Sequence, residues 1–233
     1  MSEKSLKTST FQRIVIIAIA LLMLGSTIAT YIIIVAAGNK SSQNNAELTA
    51  AEQAYTAKQT EINEYAKTLS DKYFDTMKPY RSERVRSYNA TTANEEGLKK
   101  KDLKEGDGRE LAEGDTNYFA YYIGWCADES VFDATFDNND NPTALTTPIY
   151  AGVGLVEGWN QGVAGMKING VRELTIPGEL AYGDSREICG GTNSPLKFVV
   201  MPIEDAKMTA LNSELEDLYG KLIQIYYGSK AAQ

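Results

Sequence analysis

Residues 14–37 form an uninterrupted apolar run, and this run constrains the fold of the chain more than any other feature. No charged side chain occurs from residue 14 to residue 39, and a helix of this length, at about 1.5 Å per residue, crosses ~30 Å of hydrocarbon. A cleaved signal peptide is the alternative, but its apolar part spans only about 7–15 residues. The run therefore predicts one transmembrane anchor at residues 14–37, preceded by a tail at residues 1–13.

Basic residues on the N-terminal side of the run set its expected orientation. Lys4, Lys7 and Arg13 precede it, with only Glu3 opposing them. Because positive loops stay in the cytoplasm, the tail is expected there and the rest of the chain outside the membrane. The predicted location is therefore the cell membrane, in a single-pass topology.

Composition excludes several classes of chemistry. The chain has no histidine, which removes catalytic triads, histidine-ligated zinc and imidazole switches. The two cysteines cannot supply a four-thiolate metal site, so no structural zinc of that kind is expected. A formal charge of −8 argues against nucleic acid as a partner.

Two amphipathic segments are expected to flank a central domain. In the first, apolar residues recur every three or four positions through residues 41–78, and Pro79 is expected to end this helical stalk. Residues 79–96 are polar and are predicted to be a linker. In residues 205–233 an apolar residue recurs at 3-4-3-4-3 spacing, which is the a/d pattern of a heptad. That face indicates either a homodimer or client-holding helix, or packing on the stalk or on its own domain.

The central domain, residues 97–204, has short apolar runs separated by turn residues. Residues 118–126, 130–132, 171–176 and 196–203 are predicted strands, and residues 158–166 a short helix. The predicted fold class is α+β, in which a curled antiparallel β-sheet wraps on a short helix, with the N-terminal transmembrane helix and the flanking α-helices added to it.

Four segments of this domain carry a resemblance to a known family. They are residues 97–125, 131–137 (VFDATFD), 155–183 (containing VEGW and LAYG) and 193–200 (NSPLKFVV). In this order they resemble the FKBP-type peptidyl-prolyl isomerases. The resemblance implies catalysis of rotation about Xaa-Pro bonds, proline-containing polypeptides as partners and no cofactor.

By the same resemblance, the site residues fall into two groups. The catalytic group comprises Trp159 as the floor of a proline pocket, the backbone N–H of Val156 and the Tyr182 hydroxyl as donors to substrate carbonyls, and Asp133 at the rim, orienting Tyr122. The substrate-binding group lines the pocket and comprises Tyr122, Phe132, Leu155, Ile188 and Phe198.

Three features around this pocket depart from the family or remain open. The segment before Leu155 lacks the usual aromatic residue, and Ile149 and Tyr150 are the two candidates to replace it. The loop after Tyr182 lacks the Pro-rich apolar run and carries charged residues instead. Cys126 and Cys189 flank the pocket, where a disulfide is expected and two separate thiols are the alternative.

The predicted function is peptidyl-prolyl isomerisation that assists the folding of exported proteins. A catalytically weak client-binding module is the alternative, and a structural envelope component is a third interpretation that rests on the heptad face alone.

Overall fold

The computed structural model describes residues 42–82, 88–137, 142–151 and 154–231. No helix in these ranges is long and apolar enough to span a bilayer. The predicted anchor at residues 14–37 and the tail before it lie outside the described residues, so the structure gives the anchor no support.

Helices and strands follow the predicted α+β arrangement. The helices are α1 (Ser42–Ser82), α2 (Ala90–Glu96), α3 (Glu157–Val163) and α4 (Ala206–Ala231). The strands are β1 (Lys99–Lys104), β2 (Phe119–Trp125), β3 (Val131–Ala134), β4 (Ile149–Tyr150), β5 (Val171–Ile176) and β6 (Leu196–Ile203). Two short 3-10 helices, Gly178–Leu180 and Gly183–Ser185, lie between β5 and β6.

The six strands form one antiparallel sheet in the order β1-β5-β6-β2-β3, with β4 paired to the start of β2. The central strands β2 and β6 are buried along their whole length. Alternate side chains on a strand point to opposite faces, so both faces of the central sheet are covered.

One face of the sheet packs on α3. Its core includes the buried side chains Tyr118, Tyr122, Trp159, Val163, Leu174, Ile176, Leu196, Phe198 and Val200. The predicted strands and the short helix are confirmed here, although some of their bounds differ. The strand β3 ends at Ala134 rather than residue 132, and the helix runs from Glu157 to Val163 rather than over residues 158–166.

The second face lies against the C-terminal half of α1. The Tyr73 ring lies 5.9 Å from the ring of Tyr121 in β2, and the hydroxyl of Ser70 accepts a buried hydrogen bond of 2.8 Å from the Leu145 N–H. One stripe of α1 is buried, comprising Ile62, Ala66, Leu69, Tyr73 and Met77. This half of α1 is therefore part of the same compact unit as the sheet, Ile62–Thr209.

The expected helix end at Pro79 is wrong, because α1 continues to Ser82. A proline lacks an N–H and obstructs the carbonyl four residues earlier, so it is costly in the middle of a helix. Here only three residues follow it, and the fully buried Met77 fixes the turn that precedes it.

The predicted linker at residues 79–96 also needs correction, because α2 forms within it. Asn89 caps α2 by accepting the Thr92 N–H at 2.9 Å, and Asn94 accepts the Gly178 N–H at 2.8 Å. The segment is polar because a seven-residue helix buries only Ala93 and docks through side-chain hydrogen bonds.

A second compact unit consists of residues up to Glu61 together with those from Ala210 onward. In it, Tyr55 and Tyr219 have ring centroids 6.1 Å apart, and Lys58 forms an ion pair of 2.5 Å with Glu214. Leu211, Leu215 and Leu222 on the heptad face of α4 are at most 5% exposed within this single chain. The structure favours packing of this face on α1, and the homodimer stays a prediction.

Candidate active site

Four aromatic rings lie together where the sheet faces α3. The Trp159 ring, 2% exposed, lies 5.5 Å from Tyr122 and 5.3 Å from Phe198, with interplanar angles of 86° and 82°. Phe132 lies 5.5 Å from Phe198, also edge to face. Edge-to-face contacts of this kind stabilise aromatic clusters beyond their apolar burial.

Two glycines allow close packing around these rings. A Cβ on Gly124 of β2 would lie 2.6 Å from Cζ of Phe132, and one on Gly158 of α3 would lie 2.2 Å from Cγ2 of Ile176. Both distances are too short for a side chain, so glycine at these positions lets Phe132 cover β2 and lets α3 approach β5.

The Trp159 indole is oriented by a hydrogen bond that the sequence analysis did not predict. Its Nε1–H donates to the hydroxyl of Tyr118 at 3.1 Å, and both groups are buried. Burial raises the pKa of Tyr118 to about 12, so the hydroxyl stays protonated near neutral pH. Tyr118 therefore fixes the orientation of the Trp159 ring, the predicted floor of the pocket.

Asp133 and Tyr122 form the polar pair expected at the rim. The Tyr122 hydroxyl donates to Oδ2 of Asp133 at 2.5 Å. Burial, followed by this carboxylate, raises the pKa of Tyr122 far above its usual value. Thr135 fixes the backbone of the same tyrosine, because its hydroxyl accepts the Tyr122 N–H at 2.8 Å and donates to the Tyr122 carbonyl at 3.1 Å. The tyrosine is thus held in place as a hydrogen-bond donor to Asp133.

The other predicted pocket residues also pack against this cluster. Leu155, Val156, Tyr182 and Ile188 are partly buried and contact its edge. Ile149 packs there as well, whereas Tyr150 is 37% exposed and its ring pairs with Phe119. Of the two substitutes considered for the missing aromatic residue, the structure therefore places Ile149 on the pocket side.

Two hydrogen-bond donors at the edge of the cluster have no acceptor within the described part of the chain. They are the backbone N–H of Val156 and the hydroxyl of Tyr182. Val156 precedes the first residue of α3 in an extended conformation, so its N–H belongs to no helical bond. Both donors are therefore available to a ligand that occupies the aromatic cluster.

Cys126 and Cys189 form a disulfide in the structure, with their Cα atoms 5.2 Å apart. Cys126 directly follows β2, and Cys189 lies in the loop after Tyr182 and packs against the aromatic cluster. The pairing agrees with the disulfide expected from the sequence rather than with two separate thiols.

A polar cavity of about 320 Å³ lies elsewhere in the same unit. It is lined by α2, by Tyr88 just before that helix, and by Lys99, Lys101, Glu173 and Lys197 of β1, β5 and β6. None of the clustered aromatic rings lines it. No group of three or more acidic or cysteine side chains that could hold a metal ion occurs among the described residues.

Comparison with known proteins relates this site to a family. Residues 108–201 match the model of the FKBP-type peptidyl-prolyl cis-trans isomerase domain. The chain is 35% identical over 113 residues to the FK506-binding protein of Neisseria meningitidis serogroup B, covering 48% of this chain and 96% of that protein. Over 96 residues it is 42% identical to the FK506-binding protein of Streptomyces anulatus, covering 41% of this chain and 73% of that protein.

The chain belongs to the FKBP-type peptidyl-prolyl isomerase family. The resemblance identified in the sequence is thereby confirmed. Among solved structures, the crystal structure of AtFKBP13 is 34% identical and covers 48% of this chain and 94% of that chain, with a TM-score of 0.37.

The FKBP-type domain match is shorter than the compact unit that contains it. The match ends within β6 and begins after β1, whereas the unit runs from Ile62 to Thr209. Arg172 of β5 connects the part of the unit inside the family match to β1, which lies outside it. Its guanidinium pairs with Asp102 of β1 at 2.6 Å. It also donates to the carbonyls of Gly162 and Ala164 at the end of α3. Sequence analysis missed this arginine because its partners are up to 70 residues away.

Proposed function

We propose that this isomerase acts on Xaa-Pro bonds of exported polypeptides outside the cytoplasmic membrane, to which residues 14–37 anchor it. The observation that carries the proposed chemistry is the pair of unoccupied donors, Val156 N–H and Tyr182 O–H, beside a buried aromatic floor. A prolyl peptide offers a ring for that floor and a carbonyl on each side of it for the donors.

The reaction requires no nucleophile, because no bond to the substrate forms or breaks. The barrier of about 18–20 kcal/mol arises from amide resonance, which rotation must interrupt. The apolar environment of Trp159 and Phe198 disfavours the polar planar amide relative to its twisted form. Tyr182 binds the carbonyl of the residue before proline, and Val156 binds the next carbonyl, so that rotation is confined to one bond.

Asp133 holds the Tyr122 ring in the pocket wall and places a fixed negative charge beside the rotating amide. Its partner hydroxyl remains protonated over the physiological pH range, because burial raises the pKa of Tyr122. The charge therefore stays in one place while the amide twists. This fixed charge is an electrostatic contribution that requires no proton transfer.

Removing the polar groups of the pocket should lower activity without unfolding the protein. We expect Tyr182→Phe and Asp133→Ala each to reduce kcat/KM by about tenfold or more, which is ~1.4 kcal/mol of transition-state stabilisation. A protease-coupled assay of the full-length chain with Xaa-Pro peptides measures this. Circular dichroism checks that the variants are folded.

Tyr121→Phe is the matched control for this experiment. Tyr121 lies next to Tyr122 but faces α1, and its buried hydroxyl has no hydrogen-bond partner in the described structure. Its removal should leave kcat/KM unchanged. Full activity in both site variants would exclude Tyr182 and Asp133 from catalysis, and tight peptide binding without turnover by the unmodified chain would favour the client-binding alternative.

The proposed location is supported by the uncharged run at residues 14–37 and by the basic residues before it. A disulfide between Cys126 and Cys189 also fits an oxidising compartment.

We expect protease added to intact cells to release the isomerase unit, detected by antibody against α4. Complete protection, with cleavage only after lysis, would contradict this orientation.

A further inference from the structure

The loop that follows Tyr182 places charged side chains at the edge of the aromatic cluster. Asp184, Arg186 and Glu187 are all exposed. Of these, Arg186 lies against the site itself, with its guanidinium carbon 4.8 Å from the centroid of the Tyr182 ring. A guanidinium over an aromatic face at this distance is attracted to the negative face of the ring.

This contact holds a permanent positive charge beside a residue of the proposed active site. Arginine stays protonated at every physiological pH and presents planar donors that match a carboxylate. Within the described residues no carboxylate lies within ion-pair distance of Arg186, including those of its loop neighbours Asp184 and Glu187. Its donors are therefore free to bind an anion from outside the chain.

The hydroxyl of Tyr182 defines which part of a substrate is nearest to this charge. If that hydroxyl binds the carbonyl of the residue before proline, the side chain of the same residue emerges beside the Tyr182 ring. Arg186 covers this ring. A glutamate at that position would extend its carboxylate toward the guanidinium, where a two-bond pairing is available.

We propose that Arg186 is a specificity-determining residue that selects polypeptides with an acidic residue directly before the proline. This inference rests on the proposed function, because it assigns a preference to the same pocket. It concerns only the ratio of rates between substrates, so it can fail while the isomerase activity stands.

The experiment compares two peptides that differ in charge and hardly in shape. The full-length chain is assayed with Ala-Glu-Pro-Phe and Ala-Gln-Pro-Phe 4-nitroanilides that carry an uncharged N-terminal group. We expect kcat/KM to be about two- to fivefold higher for the glutamate peptide, as is typical of an exposed ion pair. The ratio should fall toward one near 1 M salt, where the screening length is about 3 Å.

Arg186→Gln should bring the ratio of glutamate to glutamine rates to about one, whereas Arg186→Lys should retain part of it. Lys101→Gln is the matched control, because it removes the same positive charge far from the pocket. Lys101 lies on β1, at the opposite edge of the sheet from β3, which carries Phe132 and Asp133. It should leave both rates unchanged. Thermal unfolding of each variant shows whether the fold is intact.

The outcomes separate this inference from the proposed function. A ratio of one in the unmodified chain, or a ratio that Arg186→Gln leaves unchanged, overturns the role of Arg186 while the activity stands. An equal fall in ratio with Lys101→Gln overturns it as well, because the effect would then come from net charge. Absence of turnover with every peptide defeats the proposed function, and this inference with it.

Discussion

A chain that lacks residues 1–87 should fail to form the isomerase fold, even though the family match begins only at residue 108. The reason is the stripe of α1 that is buried in the same compact unit as the sheet, which includes Leu69, Tyr73 and Met77. Each fully buried side chain of this size contributes about 1.5–3 kcal/mol, and whole domains are stable by only about 5–15 kcal/mol. Loss of the stripe also exposes Tyr121 and leaves the Leu145 N–H without its acceptor.

Urea unfolding, followed by tryptophan fluorescence, measures this effect. A chain that lacks only residues 1–41 is the reference, because it keeps all of α1. We expect the shorter chain to have no cooperative transition, or one at a much lower urea concentration. Equal midpoints for the two chains would show that α1 is dispensable for the fold.

Single substitutions in α1 test the same contact without truncation. Met77→Ala should lower the free energy of unfolding by about 2–5 kcal/mol, as is typical of large-to-small changes in a core. Lys67→Ala is the control, because Lys67 is exposed on the same helix. It should change the free energy by less than about 0.5 kcal/mol. Similar effects of the two variants would contradict the packing of this stripe.

Breaking the Cys126–Cys189 disulfide should have the second large effect. The bond closes a loop with a sequence separation of 63, and in the chain-entropy model a loop of this length contributes about 4 kcal/mol to stability. It also restrains the exposed segment around Arg186, beside Tyr182. We expect the double variant Cys126→Ser, Cys189→Ser to have a lower Tm and a KM that rises more than kcat falls, because substrate must then order a freer loop.

Reductant provides the control for this experiment. It should reproduce the effects of the double variant in the unmodified chain and should have no effect on the variant itself. Alkylation followed by intact-mass measurement reports the state of the thiols in protein taken from its native compartment. Two alkylated cysteines without prior reduction would contradict the disulfide, and an unchanged KM after reduction would contradict its effect on the loop.

The sequence predicted the central strands well because their signals are local. The run at residues 196–203, for example, is apolar and bounded by turn residues, and it forms β6. The helix α2 and the strand β1 were not predicted, because neither short segment has a clear periodic pattern of apolar residues in its sequence. β1 has the sequence KKKDLK, and as an edge strand with mostly exposed side chains it needs no apolar alternation.

The site was predicted in its aromatic members and less well in the residues that orient them. Trp159 and Phe198 lie within short motifs that carry the family resemblance. Tyr118 is 41 residues from the indole that it orients, and only the folded sheet brings the two together. The side chain of Thr135 likewise acts on the Tyr122 backbone through strand pairing, which no local pattern records.

Burial of both faces of β2 and β6 limits how this sequence can evolve. On a sheet with one face in water, every second position tolerates polar replacement. Here α1 packs on the second face, and all seven residues of β2 and all eight of β6 are buried. Substitutions on one side of these strands affect the aromatic pocket, and those on the other side affect the packing of the helix. Mutational drift in these strands is therefore restricted at every position.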